Sequence, residues 1–574
     1  MKSILRYTRK YLPFIILTPL ILVVEVILEI EIPKVMAEIV DTGIPSGNIN
    51  LVVSEGFKMI LMAFGALLAG VVGCITAATG AMGFGSELRK AVFGKIQDFS
   101  FENFDRFQQS SLLTRLTTDV DYIQMGLRMT MIMLIRAPFM MIAASVVAFR
   151  INRDLFVIFA VAVPLLLVTV TILAKIAMPK FKLMLEKYDG LNDDTKEYLT
   201  NVRVVKAFVR EDYENKKFAA INKQLRDSSI DIESMMVLIG PIMQLIIYGC
   251  VIAVYYLGGM DIVAGKMEVG TLTAFISYIG QIISGILMAA MIFINFVRLK
   301  GSVDRLSEVL NSEITLKDGE SDALVENGSI DFDQVSFQYA TASKESLKNI
   351  DLHIKAGETI GIIGSTGCGK SSLVQLIPRL YDVTEGCVKV AGLDVREYKL
   401  DNLRKDVSMV LQQNTLFSGT IKDNLRWGNE DASDEEIIEA CKKAQAHDFI
   451  MAFPKQYDTD LGQGGVNVSG GQKQRLCIAR ALLAKPKIII LDDSTSAVDT
   501  HTDSLIRKAL KEELSGTTTI IIAQRVASVM EADRVVVMDN GRIADVDTPE
   551  RLLQHNEIYQ DIYNTQMKGV ESYA

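Results

Sequence analysis

Six apolar stretches, roughly 12–32, 57–79, 129–149, 155–178, 235–258 and 271–297, constrain this chain more than any other feature. A helix crossing the hydrocarbon core of a bilayer needs about 20 mostly apolar residues at a rise of about 1.5 Å each. Inside lipid the backbone must satisfy its own hydrogen bonds, so runs of this length can only be helices. The N-terminus runs apolar to about Ile32 with no small-residue cleavage site, which reads as an uncleaved first span rather than a secretory leader.

Basic residues give the direction. Lys2, Arg6, Arg9 and Lys10 precede the first span, and Arg89, Lys90, Lys95, Arg106 and Arg115 follow the second. The stretch after the fourth, from Lys180 to Lys223, is richer still, whereas 33–56, 150–154 and 259–270 are poor in positive charge. Positive charge stays on the cytoplasmic side, so both termini are expected there. Segments 80–128 and 179–234 are polar but keep helical apolar spacing, as in Glu87-Leu88-Arg89-Lys90-Ala91-Val92-Phe93. They read as membrane helices prolonged into the cytosol, with turns at their tips near 107–113 and 209–215. Charges also fall inside spans. Glu25 and Glu29 share one helix face and Arg136 sits in the third span. Intramembrane charges mark either a polar patch in a substrate cavity or, the commoner case and the one expected here, a mutual ion pair or an interfacial position, the last especially for Glu29 and Glu31 near the outer end.

The apolar excess ends near residue 300, although hydrophobic residues make up 49% of the whole chain. Residues 312–328 are charged and lack an apolar stripe, which places a linker between a membrane domain, 1–311, and a second domain, 329–574. In the second domain, strands are expected at 329–338, 358–363, 407–411, 487–491, 518–523 and 533–538. Helices are expected near 370–380, 434–445 and 470–484. Alternation of this kind is the mark of an α/β nucleotide fold. A net charge of −9 without basic runs argues against nucleic acid as a partner. The six cysteines form no C-x-x-C pair and the four histidines do not cluster, so neither a disulfide framework nor a zinc site is indicated.

The strand ending at Ile363 runs into GSTGCGKSS, the G-x-x-x-x-G-K-[ST] pattern in its required strand-to-helix context. Gly364, Gly367 and Gly369 let the backbone wrap phosphates, with Ser365, Thr366 and Cys368 between them. Backbone N–H groups and a helix start face the negative charge. Lys370 can reach the outer phosphates, Ser371 can hold Mg²⁺, and Ser372 closes the motif. Asp492, at the end of another strand, is a second candidate Mg²⁺ ligand. Asp493 follows it, where many ATPases carry a glutamate that handles the attacking water.

Residues 468–472, VSGGQ, with KQRLCIARAL after them, resemble the signature motif of ABC transporters. In that family Ser469, Gly470, Gly471 and Gln472 would close over ATP held by the opposite subunit. Tyr339 resembles the aromatic that stacks on adenine. Gln412 resembles the glutamine that senses Mg²⁺ and water, and Ser496-Ala497-Val498-Asp499 the loop that crosses the dimer interface. The resemblance covers essentially the whole chain. It implies a six-helix membrane bundle of exporter type followed by an α/β P-loop ATPase domain, binding ATP and Mg²⁺. It also implies that the second tip, near 209–215, docks on another chain.

Two residues depart from the family pattern. Asp493 stands for the usual glutamate, and Gln524 for the histidine expected after its strand. Gln463 is a lesser departure, where glutamate is common. Asp493 and Gln524 are the positions that serve hydrolysis, while the residues that hold nucleotide are kept. This is similar to the degenerate subunit of heterodimeric bacterial multidrug exporters, which implies a second half-transporter as partner, the lipid bilayer around both, and a hydrophobic small-molecule substrate. The same family resemblance leaves two alternatives: a homodimeric lipid or peptide exporter with two active sites, or a regulatory, channel-like subunit.

Overall fold

The computed structural model describes Ile4, residues 6–492 and 516–571, and residues 502, 504–506, 508 and 509. It divides into two compact units. One comprises Met1–Lys95 and Leu113–Asn311, the other Ile96–Leu112 and Ser312–Ala574.

The first unit is built from six long helices: α1 (Leu12–Glu38), α2 (Ile49–Gln97), α3 (Val120–Ile151), α4 (Arg153–Thr200), α5 (Glu211–Val263) and α6 (Val269–Asn311). Among the described residues, six helical stretches are long and apolar enough to cross a membrane. The helices outrun the apolar stretches that reveal them. α2 has 49 residues, about 73 Å at 1.5 Å per residue, against a hydrocarbon core of about 30 Å. Hydropathy marks only the part meant for lipid, while the polar prolongations stay helical.

Specific side chains terminate and join these helices. Asn152 is the one residue between α3 and α4; its side chain accepts from the Asp154 and Leu155 amides at 2.9 and 3.1 Å and caps α4. The Asp41 carboxylate accepts from Thr271 N and from Thr271 Oγ1, both at 2.8 Å, putting negative charge on the first turn of α6. Further along, Arg305 of α6 is ion-paired to the fully buried Asp119, which also accepts from Ser302 Oγ at 2.8 Å.

The tips differ in detail from the sequence expectation. A short helix, Phe101–Arg106, lies where the chain turns, and Gln109–Thr114 is already helical again. Ser100 caps the first of these through a capping box with Asn103. The second tip is a short helix Val202–Ala207, and α5 starts at Glu211, so the turn falls at residues 208–210 rather than 209–215.

The second unit holds the strands β1 (Ile330–Phe337), β2 (Leu347–Ile354), β3 (Thr359–Gly364), β4 (Glu385–Val390), β5 (Leu393–Asp394), β6 (Val407–Val410), β7 (Gly419–Thr420), β8 (Asp460–Leu461), β9 (Ile488–Asp492), β10 (Thr518–Ile522), β11 (Arg534–Asp539) and β12 (Arg542–Asp547). A four-stranded antiparallel sheet runs β2-β1-β4-β5, and a six-stranded sheet runs β12-β11-β3-β10-β9-β6. In the larger sheet every pair is parallel except β11 with β12. All five residues of β9 are buried, as expected of an internal parallel strand covered on both faces. One core joins the two sheets through Phe332, Val388, Ile360, Ile362, Ile490 and Ile520. Helix α7 (Lys370–Gln375) follows β3, and a second core packs helix α8 (Asp434–Lys443) and helix α9 (Gly470–Leu483) with Ile489 and Leu491 from the other face of β9.

Candidate functional site

The register of the large sheet assembles the site. β10 lies between β3 and β9, and Ile522 is level with Ile362 on one side and Asp492 on the other. The glycine loop leaves β3 two residues later, and Gln524 lies two residues beyond Ile522. The loop, Asp492 and Gln524 therefore share the carboxyl edge of the sheet, where open α/β sheets bind ligands.

Gly364, Gly367 and Gly369 have φ of +156°, +83° and +102°. Two of these are set by close approach. A Cβ on Gly364 would come 2.2 Å from the Met538 carbonyl oxygen, and one on Gly369 would come 2.8 Å from the Ser346 carbonyl oxygen. The Gly541 backbone meets the same Ser346 oxygen from its own side, with a Cβ clearance of 2.7 Å. Gly541 N in turn donates to Cys368 O at 3.1 Å. Ser346 is thus clasped between the phosphate loop and the β11–β12 turn. Ser365, Thr366 and Gly367 at the loop crest are exposed, whereas Cys368 and Ser372 are buried.

Lys370 folds over the loop, donating to the carbonyls of Gly364 and Ser365 at 2.8 and 2.9 Å. Ser371 Oγ donates to Asp492 Oδ1 at 3.0 Å, and Asp492 is only 3% exposed. A hydroxyl and a buried carboxylate side by side are hard oxygen ligands of the kind Mg²⁺ takes alongside phosphate. The donor set therefore fits the ion.

Tyr339 is placed by rings. It meets Phe337 and Tyr381 edge-on, with centroids 4.7 and 5.1 Å away. Its hydroxyl lies 3.0 Å from Ser372 Oγ and donates to Gln375 Oε1 at 3.3 Å, in the helix Lys370–Gln375 that follows the loop. Burial pushes its phenol above the usual range, with the Ser372 hydrogen bond opposing. Tyr339 and Tyr381 line a cavity of about 220 Å³. Its other wall is the Phe101–Arg106 helix: Tyr381 donates to Asp105 Oδ2 at 2.9 Å, and Ser100 Oγ lies 2.8 Å from Thr315 Oγ1. This wall was not legible in the sequence, because it joins residues 276 apart.

Ser469 is the N-cap of α9. Its Oγ accepts from Gln472 N at 3.3 Å, while Ser469 N donates to Gln472 Oε1 at 2.9 Å. Ser469 and Gly470 are exposed at this helix start, the end of a helix at which anions are favoured. Gln412 is exposed just after β6. Gln524 is exposed, and its carbonyl accepts from Gln566 Nε2 at 2.7 Å. Asp493 and the segment Ser496–Asp499 lie outside the described residues.

The intramembrane charges do pair. Arg136 Nη2 lies 3.2 Å from Glu25 Oε1 and 3.0 Å from Glu29 Oε1.

A glycine loop of phosphate-binding pattern at a sheet edge, a hydroxyl–carboxylate pair beside it and a second, exposed helix start at Ser469, fused to six helices long and apolar enough to cross a membrane, define an ATP-coupled membrane transporter. The profile of the ABC transporter transmembrane region matches residues 15–287, and that of the ABC transporter ATPase region matches 347–496. The chain is 34% identical to the uncharacterized ABC transporter ATP-binding protein YfiB of Bacillus subtilis, across 100% of both chains. It is 33% identical to an ATP-dependent lipid A-core flippase of Desulfotalea psychrophila, over 84% of each chain. Its fold is similar to a bacterial Atm1-family ABC exporter solved with ATP bound, with a TM-score of 0.81 at 24% identity, covering 97% of this chain and 98% of that one. The chain belongs to the ABC transporters, as a half-transporter that carries membrane domain and ATPase on one polypeptide.

Proposed function

We propose that this half-transporter works as the hydrolysis-impaired subunit of a heterodimeric exporter for lipophilic compounds, with both termini cytoplasmic. The observation that carries the reading is the pair Asp493 and Gln524. Both hydrolytic positions are altered while every residue that holds nucleotide is kept. A carboxylate one methylene shorter sits about 1 Å from where a glutamate would, which costs about 100-fold in rate. Glutamine donates a hydrogen bond but cannot become a cation.

In this reading Lys370 would exchange its two carbonyl partners for phosphate oxygens, Tyr339 would offer its ring to the adenine, and Ser371, Asp492 and Gln412 would hold Mg²⁺. Bound Mg²⁺ supplies neutralisation of phosphate charge. Ser469 through Gln472 serve the partner's ATP, at the site that turns over. ATP closes the two ATPase domains and favours one of two membrane-domain states, giving alternating access. The flippase relative favours a second reading, a homodimeric exporter of lipid with two working sites.

ATPase rates of the chain alone and with the half-transporter encoded beside it separate the two. A nearly silent chain, an active pair, and loss of turnover when the partner's catalytic glutamate becomes glutamine support the heterodimer. An active dimer of this chain that Asp493→Asn silences supports the homodimer.

A further inference from the structure

The Glu25–Glu29–Arg136 group lines a groove of about 640 Å³ between α1, α2 and α3, within the size range of small-molecule sites. Its walls are apolar, formed by Leu22, Leu67, Val71 and Ile132 among others. Two carboxylates against one guanidinium leave a formal charge of −1 in an apolar surround. Glu25 is 8% exposed. Its Oε2, and that of Glu29, are buried without a hydrogen-bond partner among the described residues. The Arg136 pair therefore satisfies only one oxygen of each carboxylate, and buried acceptors of this kind are costly unless a donor reaches them. The opposite wall makes room for the charge: a Cβ on Gly70 would come 2.8 Å from Glu25 Oε1.

We propose that this groove binds a lipophilic ammonium, whose N–H groups supply the missing donors to Glu25 and Glu29 and whose positive charge cancels the excess carboxylate. The apolar walls take its hydrocarbon part. The proposal rests on the export reading only in treating the ligand as cargo; the site itself stands on the groove and its charge. A primary ammonium is offered both by free amphiphilic amines and by the headgroup of an aminophospholipid, and the chemistry of recognition is the same.

The test is a fluorescence titration of the full chain in nanodiscs, without nucleotide, using monodansylcadaverine and its neutral N-acetyl derivative against empty discs. The wild type is expected to hold the ammonium roughly tenfold tighter than the acetylated probe, a small part of the Coulomb attraction between unit charges at about 4 Å, because the ammonium gives up its hydration on entering. Glu29→Gln keeps the Glu25–Arg136 pair and should bring that preference to within about twofold, leaving the acetylated probe unchanged. Gly70→Ala, which presses a methyl on Glu25, should lower it as well. Equal binding of the two probes to wild type, or an undiminished preference in Glu29→Gln, overturns the proposal. Discs with and without phosphatidylethanolamine separate the sources: competition assigns the site to the headgroup, and its absence assigns it to a free amine. Because nucleotide is left out, a transporter that fails to turn over ATP would not alter this titration.

Discussion

The clasp on Ser346 makes a quantitative prediction about the phosphate loop. Gly369, Gly541 and Gly367 all have positive φ, of +102°, +80° and +83°. An alanine at any of them pays about 1–2 kcal/mol for the left-handed backbone. They differ in what a methyl would meet. At Gly369 and Gly541 it falls 2.8 and 2.7 Å from the Ser346 carbonyl oxygen, while at Gly367 nothing lies within 4 Å. Ser346 cannot retreat freely, since its N–H is bonded to Phe337 O at 2.8 Å and the next strand is tied to Gly541 O through Lys348 N at 2.8 Å. Overpacking against fixed atoms adds about 1–3 kcal/mol. Gly369→Ala and Gly541→Ala should therefore destabilise the closed loop by about 2–5 kcal/mol, and Gly367→Ala by about 1–2. Hydrogen exchange of a peptide covering 364–376 in the nucleotide-free chain reads this directly. Its opening equilibrium should rise roughly 30-fold to several thousand-fold in the first two variants and roughly 5- to 30-fold in the third. An effect at Gly367 equal to or larger than the others would refute the steric argument.

Three further outcomes are expected. Arg136→Leu strands the buried Glu25 and the half-buried Glu29 and should destabilise the membrane unit by about 3 kcal/mol, whereas removing all three charges together should be near neutral; comparison of thermal unfolding in the same detergent decides it. Ser469→Ala should loosen the start of α9 by about 1 kcal/mol, read by hydrogen exchange over 469–476, and Ser469→Asn should restore that cap. Glu358 donates stability through Arg534: burial pushes its carboxyl up, and the hydrogen bond and charge of Arg534, whose Nη2 lies 2.8 Å from Glu358 Oε2, outweigh this and hold it below the usual range. A depressed carboxyl stabilises the fold above its unfolded pKa of about 4.3 and loses that contribution as pH falls through the folded value. The gap in unfolding midpoint between wild type and Glu358→Gln should thus be constant above about pH 5 and close below about pH 4. A gap that widens in acid would contradict it.

The sequence made some of this visible and concealed the rest for physical reasons. Spans were legible because lipid demands a run of apolar residues that little else requires. Their prolongation past the apolar stretch was legible too, though from helical spacing and not from hydropathy: α2 continues through polar residues up to Gln97. The phosphate loop and the signature residues Ser469–Gln472 at the start of a helix were legible because both are written in contiguous residues. The pairing of Arg136 with Glu25 and Glu29 depends on how α1 and α3 are rotated, and the Tyr381–Asp105 bond on which tip meets which sheet. Neither has a local signature. The turn at the first tip was placed too late because Ser100 and Asn103 form a capping box without the usual glutamate or glutamine at its third position.

Ser469 carries a consequence for how such a site can evolve. Its oxygen accepts from Gln472 N and so keeps α9 intact, while the proton on that same oxygen is still available to donate. One atom can thus hold its own helix and reach a phosphate at once, using different faces. Asparagine could replace the first role, and alanine neither. A lineage that stopped needing the phosphate contact would still be held to serine or a close substitute by folding alone. An intact signature serine is therefore weaker testimony to an active opposite site than its chemistry suggests, whereas Gln524, which caps none of the described helices, is freer to drift once turnover is no longer demanded of it.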